Sequence, residues 1–219
     1  MSSSLIENKL KCYDPATGEE LGNVLITQES EINSIIQAGV DSAKIFNRSH
    51  FSERKKLIKN FRKAIVYRKD DFVKIICNET GKKPFEAMME IMVSMDLMKT
   101  QGKHLKKYLS SKKRNSGIYS HKRGRVEYRP YGVAGIISPW NYPLILTLSP
   151  VTEAILAGNT VVLKPSEQTP LTAILLKEIF DSVSSDQNIL QIIQGASEVG
   201  KILIESHQTD IICFTGSTN

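Results

Sequence analysis

From Tyr131 onward the sequence alternates short apolar runs with amphipathic stretches, and that rhythm restricts the fold more than anything else in the chain. Val133-Ala134-Gly135-Ile136-Ile137 is short, apolar and partly β-branched, as a buried strand is. The prolines and aromatics of Ser138-Pro139-Trp140-Asn141-Tyr142-Pro143 stop it at once. A helix is expected from about Leu144 to Leu156, with Gly158 placed to end it. Thr160 to Lys164 reads as a second strand, and Pro170 opens a helix to about Phe180. Ile189 to Ile193 is a third strand, ended by Gly195. Glu198 to Glu205 is a third helix and Ile211 to Thr215 a fourth strand. Strands alternating with helices imply a parallel, doubly wound sheet, an α/β fold of Rossmann-like type.

Upstream the pattern is mostly helical. Asp14-Pro15-Ala16-Thr17-Gly18 is a turn between two short strands. Ser30 is a candidate cap for a helix bearing Ile32, Ile35, Ile36 and Val40. Ser52 opens a second, and Phe72 to Cys77 looks like a third. Gly81 and Pro84 precede a long helix from about Phe85 to Leu109. Its Met88, Met89, Met92, Met95 and Met98 suit either an adaptable binding surface or, the reading favoured by their spacing, core packing. Residues 110–129 are polar and basic, and Ile118-Tyr119-Ser120 and Val126-Glu127-Tyr128 are expected to pair as an exposed hairpin. Unpaired strand edges seek partners, so this arm points to a homo-oligomer. The chain thus divides into a lead-in (1–109), an arm (110–129) and a sheet-forming part (130–219).

Charge and cysteine content exclude several classes. Ten of the 29 Lys and Arg residues lie between Lys103 and Arg129, opposed there only by Glu127. A basic stripe can bind nucleic acid. No aromatic platform accompanies this one, so a solvated surface is favoured and no nucleic-acid partner is expected. No run of apolar residues is long enough for a membrane span, and Met1-Ser2-Ser3-Ser4 has no signal-peptide character. Cys12, Cys77 and Cys213 are odd in number and far apart, which argues against zinc and a disulfide framework and for a cytoplasmic setting.

The chemistry gathers where strands end. Asn141 follows the first strand, at the edge where open α/β sheets place ligands, and an amide N–H there can stabilise a developing oxyanion. The second strand ends in Lys164-Pro165-Ser166-Glu167. An acidic group beyond a second strand can bind ribose hydroxyls, and Lys164 can donate to the same sugar. The alternative is a surface turn with a local ion pair. Gly195-Ala196-Ser197-Glu198-Val199-Gly200 is not the usual GxGxxG fingerprint. The fourth strand ends in Phe214-Thr215-Gly216-Ser217-Thr218, where Gly216 permits a close backbone approach. Cys213 falls inside the fourth strand, where a cysteine is ordinarily a small apolar residue and not a nucleophile.

Taken in order, Trp-Asn-Tyr-Pro, Lys-Pro-Ser-Glu and Phe-Thr-Gly-Ser-Thr resemble the aldehyde dehydrogenase superfamily. Asp14-Pro15-Ala16-Thr17-Gly18-Glu19 and Glu79-Thr80-Gly81-Lys82-Lys83-Pro84 extend the likeness upstream, to about Tyr13–Thr218. The resemblance implies NAD-linked oxidation of an aldehyde to an acid. A cysteine thiolate attacks the carbonyl, the amide matching Asn141 helps hold the oxyanion, and a glutamate activates water to hydrolyse the thioester. It also implies that Lys164 and Glu167 hold the adenosine ribose. Ile137, Ser138, Pro139, Trp140, Ser166, Gly195, Gly200, Phe214, Gly216 and Ser217 would line the cofactor cleft. Glu167 favours NAD over NADP, since like charges about 4 Å apart repel by roughly 4 kcal/mol at an effective dielectric of 20. NADP stays open as an alternative. In the family the glutamate and cysteine lie downstream of the Gly-Ser segment, so the 219 residues alone are expected to be inactive. The alternative is a non-catalytic module, a truncated paralogue that docks on longer subunits.

Overall fold

Strand β5 (Val133–Ile137) and strand β6 (Thr160–Lys164) are buried at every residue, which is why both read as unbroken apolar runs. They lie parallel in a computed structural model that describes residues 8–119 and 121–217. Strand β7 (Leu190–Ile192) joins β6 on one side and β8 (Ile211–Phe214) joins β5 on the other, giving the order β7-β6-β5-β8 with all pairs parallel. Helices α5 (Ile145–Ala157) and α6 (Pro170–Val183) cover one face. Helix α1 (Glu29–Phe46) and helix α7 (Ser197–Glu205) cover the other. Strand alternation divides the core cleanly. Ile136, Val161, Leu163 and Leu190 point to the α5–α6 side, and Val133, Ile137 and Val162 to the α1–α7 side. The Rossmann-like reading holds.

Three lead-in helices form a further layer on the α5–α6 side. They are α2 (Phe51–Tyr67), α3 (Lys69–Thr80) and α4 (Pro84–Leu109). Phe61 packs edge-on against Phe180 there, with ring centroids 5.1 Å apart. Helices α1 and α2 start two residues before the positions that a serine cap predicts, at Gln28 and His50. In each, the third helical residue reaches back: Glu31 accepts from the Gln28 N–H and Glu53 from the His50 N–H, both at 2.9 Å. That arrangement quiets an orphan amide and places a negative charge at the helix's positive end. Glu86 does the same for Lys83 at the start of α4.

Strands β1 (Lys9–Tyr13) and β2 (Glu20–Leu25) form an antiparallel pair around the Asp14–Glu19 turn. The second pair differs from expectation. Its strands are β3 (Lys112–Arg114) and β4 (Gly124–Val126), while Ile118 and Tyr119 stand in the connecting turn. Ser116 decides this: its Oγ accepts from the Gly124 N–H at 3.1 Å and donates to the Lys122 carbonyl at 2.9 Å, fixing the register. Side-chain bonds to the backbone outweigh strand propensity in so short a hairpin. Ser120, Met1–Ser4 and Thr218, all used in the sequence reading, lie outside the described residues. No helix among the described residues is long and apolar enough to cross a membrane.

Candidate active site

The carboxyl ends of β6, β5 and β8 are tied together by the chain that leaves them. The Ser138 N–H donates to the Lys164 carbonyl at 3.1 Å, and the Thr215 N–H donates to the Ile137 carbonyl at 3.0 Å. The strand order reverses between β5 and β8. Such a reversal, at the carboxyl ends of the strands, is where doubly wound sheets bind ligands.

On the β5 side, the Ser138 Oγ is buried and accepts from Thr147 Oγ1 at 2.8 Å. Pro139 is half-buried, and Trp140, Asn141 and Tyr142 are exposed. Asn141 Oδ1 accepts from the Tyr142 N–H at 3.0 Å. That bond fixes which end of the amide is engaged and leaves the NH2, the donor, without a partner among the described residues. A mainly apolar groove of about 470 Å3 adjoins this loop, lined by Phe85, Met89 and Val93 of α4 with Tyr142, Ile145 and Leu146, and by the charged Lys82, Glu86 and Glu90.

On the β6 side, Lys164 is buried and its Nζ lies 3.1 Å from Glu167 Oε2. Burial raises the Glu167 carboxyl, but its own backbone N–H and then Lys164 outweigh that, holding it below the ordinary carboxylate value. Ser166 shapes the turn: its Oγ accepts from the Gln168 N–H at 3.2 Å and its carbonyl from the Thr169 N–H at 3.1 Å.

Glycines allow close packing beside these strand ends. At Gly195 (φ 157°) an added Cβ would stand 2.2 Å from Val199 Cγ2, so packing on the first turn of α7 demands glycine. At Gly216 it would stand 2.6 Å from the Phe214 ring. Gly200 is different. A Cβ there would meet Ile137 Cδ1 at 3.8 Å and Lys164 Cδ at 3.9 Å, ordinary contacts that the protein tolerates. A helical glycine that packing does not require costs about 1 kcal/mol against alanine. Its effect is to leave no side chain between α7 and Lys164 at this point.

The sequence model for the aldehyde dehydrogenase family matches residues 2–219. The chain belongs to the aldehyde dehydrogenase family. It is 32% identical over 216 residues to a D-glyceraldehyde dehydrogenase (NADP(+)) of Picrophilus torridus, covering 96% of this chain and 42% of that protein. It is likewise 32% identical to the mitochondrial succinate-semialdehyde dehydrogenase of Rattus norvegicus, covering 94% of this chain and 40% of that protein. Among solved structures, a Mycobacterium tuberculosis aldehyde dehydrogenase complexed with NAD+ superposes with a TM-score of 0.90 at 32% identity, covering 99% of this chain and 44% of that one. The NADP-dependent glyceraldehyde-3-phosphate dehydrogenase of Bacillus halodurans complexed with NADP gives 0.91 at 30% identity, covering 96% and 45%. This aldehyde dehydrogenase chain therefore spans less than half the length of these relatives.

Within it, backbone hydrogen bonds link Ser138 to Lys164 and Thr215 to Ile137, Lys164 pairs with Glu167, and Gly200 lies against Ile137 and Lys164. Gly195 turns toward Val199 and Ile26, and nothing among the described contacts joins Asn141 directly to Glu167. Two sequence expectations change. Met95 and Met98 are core, but Met89 is 41% and Met92 57% exposed, so the methionines divide between core and surface, with Met89 on the groove. Cys213 is exposed, because β8 is the outer strand. It lines a separate groove of about 820 Å3 with Arg54, Tyr131, Pro150 and Ile211, away from the Asn141 loop. Sequence reading missed Glu90 and Glu79, the buried acids that brace the two strand-to-helix turns. No periodicity marked them: Glu90 shares its buried helix face with Ser94, and each acid meets its partners only through the packing of α3 and α4.

Proposed function

We propose that the chain is the amino-terminal, cofactor-binding part of an NAD-linked aldehyde dehydrogenase. Its full-length form would oxidise an aldehyde to a carboxylic acid through a cysteine thiohemiacetal and thioester. The observation that carries this is the Lys164–Glu167 pair at the carboxyl end of β6, 3.1 Å apart, with the side-chain-free Gly200 beside it. These residues fit an adenosine ribose: Glu167, held ionised, accepts from hydroxyls and Lys164 donates. Bound NAD supplies the hydride acceptor. Ile137, Ser138, Pro139, Trp140, Ser166, Gly195, Phe214, Gly216 and Ser217 complete our assignment of the cleft, and Asn141 offers its N–H to an oxyanion. The apolar groove beside Tyr142 suits the carbon chain of the aldehyde. None of the three cysteines lines that groove, and we expect no aldehyde turnover from these residues alone. Residues 110–129 serve as an oligomerisation arm in this reading, and a cytoplasmic location belongs to it.

Titration calorimetry with NAD tests the site. We expect binding that Glu167→Ala weakens by about tenfold, the loss of one or two polar contacts at roughly 1.4 kcal/mol per decade. Equal affinity in parent and variant would remove the ribose assignment. A second reading, a non-catalytic module that docks on longer subunits, draws support from the exposed face of β8, where Phe214 is 58% exposed. Co-elution with a full-length aldehyde dehydrogenase, in the absence of NAD binding, would favour it.

A further inference from the structure

The loop that presents Asn141 is held at two points. At the strand end, Ser138 is fixed through its N–H to Lys164 and its hydroxyl to Thr147. At the helix end the hold comes from α4. Glu90 has a fully buried side chain; its Oε1 accepts from the Leu144 N–H at 2.9 Å and the Ile145 N–H at 3.2 Å, and its Oε2 lies 2.6 Å from Lys82 Nζ. The same ammonium stands 3.9 Å from the centroid of the Tyr142 ring. Between these holds, Trp140 and Asn141 are exposed, and among the described residues the one side-chain bond of Asn141 is to the Tyr142 N–H.

A helix cap needs only an acceptor for the first amides. Here the acceptor brings a cation that lies over the ring next to Asn141. Gly81 (φ 70°) ends α3 in the left-handed conformation and lets the chain turn so that Lys82 reaches that place. An ammonium over an aromatic face is attracted to it, the more so when desolvated, and the Lys82 side chain is only 16% exposed. The ring is thereby clamped, and Tyr142 in turn fixes Asn141 through its backbone N–H.

We propose that Lys82 and Glu90 are positioning residues for Asn141, acting through Tyr142. They form a latch between the lead-in helices and the oxyanion loop. This rests on the reading of Asn141 as an oxyanion donor, but the latch has its own test. Trp140 is the one tryptophan in the chain, so selectively excited emission of the intact protein reports on this loop. Lys82→Met should increase acrylamide quenching of Trp140 and speed amide hydrogen exchange at Leu144 and Ile145 by at least about tenfold more than at α7 amides. Lys82→Arg should restore both, and adding Glu90→Gln to Lys82→Met should recover part of the loss by removing the stranded charge. Unchanged Trp140 quenching in a folded Lys82→Met protein overturns the proposal. So does faster exchange at Leu144 with unchanged Trp140, which reduces the pair to a helix cap. If Lys82→Met does not fold, Tyr142→Leu keeps the ion pair and removes the ring. Increased Trp140 quenching there supports the latch, and none overturns it. Absence of NAD binding by the parent would defeat the functional reading while leaving the latch intact.

Discussion

At the turn from β5 to α5, Glu90 reaches in from α4 and accepts two backbone N–H groups of the new helix. At the turn from β6 to α6, Glu79 reaches in from α3. It accepts the Leu171 N–H at 2.6 Å, the Thr172 N–H at 2.9 Å and the Thr172 hydroxyl at 2.6 Å. Both acids are buried, both lie on lead-in helices, and both brace a turn that carries candidate site residues. They differ in countercharge. Glu90 has Lys82, and Glu79 has no ion pair among the described residues. Burial pushes the Glu79 carboxyl up to about 7, against hydrogen bonds from Thr172 and Leu171 that favour its ionised form. Two turns with the same geometric need are thus met by two electrostatic solutions. The Asn141 turn is fastened by an ion pair, and the Lys164–Glu167 turn by a carboxyl that titrates near neutrality.

Removing the countercharge should make the first turn behave worse than the second. Lys82→Met leaves the Glu90 carboxylate buried without its partner, a change that costs about 3–5 kcal/mol when the pair is fully desolvated. Urea unfolding should show the loss as a lower midpoint at unchanged slope. A loss under about 1 kcal/mol would mean the pair behaves like a surface one, and the contrast between the turns would collapse.

The second test uses pH. Glu79 titrates near 4.5 when unfolded and near 7 when folded. Between those values the native state holds a proton that the unfolded state has released, so stability falls as pH rises. The contribution is fully present below pH 4.5 and gone above about 7. Its ceiling is about 3 kcal/mol, from the shift in pKa at 1.36 kcal/mol per unit. Melting curves of the parent and of Glu79→Gln between pH 5 and 8 should diverge in slope, with the variant flatter. Parallel slopes would assign the pH dependence elsewhere. One neighbour also responds to Glu79: burial pushes the Cys12 thiol up to about 11, with the Glu79 charge adding to the shift. It ionises too high to disturb this window.

The sheet was legible from the sequence because its strands are buried on both faces, and continuous apolar runs such as Val133–Ile137 and Thr160–Lys164 have few other uses. The common edge of the candidate residues was legible for the same reason, since residues that follow the ends of parallel strands gather at one edge of the sheet. Less could be read where side chains choose among local bonds. Ser116 sets the β3–β4 register, and Gln28 and His50 displace serines as helix caps, by contacts that no periodicity announces. The bracing acids were hidden for another reason. Glu79 and Glu90 act across 92 and 54 residues of sequence, and such distances follow only from the way α3 and α4 pack beneath α5 and α6.

The smallest expected effect separates the charge of Glu79 from its hydrogen bonds. Thr172→Val keeps shape and the backbone N–H but deletes the hydroxyl that donates to Oε2. Where Glu79 is neutral, below about pH 7, the lost bond joins uncharged groups and should cost about 1 kcal/mol. Above that pH the acceptor is a carboxylate, and the cost should approach about 2 kcal/mol. The destabilisation should therefore grow from pH 6 to pH 8. With one donor fewer for the ionised form, the upper end of the Glu79 transition should also move higher. A Thr172→Val penalty that stays flat at about 2 kcal/mol across this range would show that Glu79 is ionised throughout. The two turns would then differ in partner but not in charge.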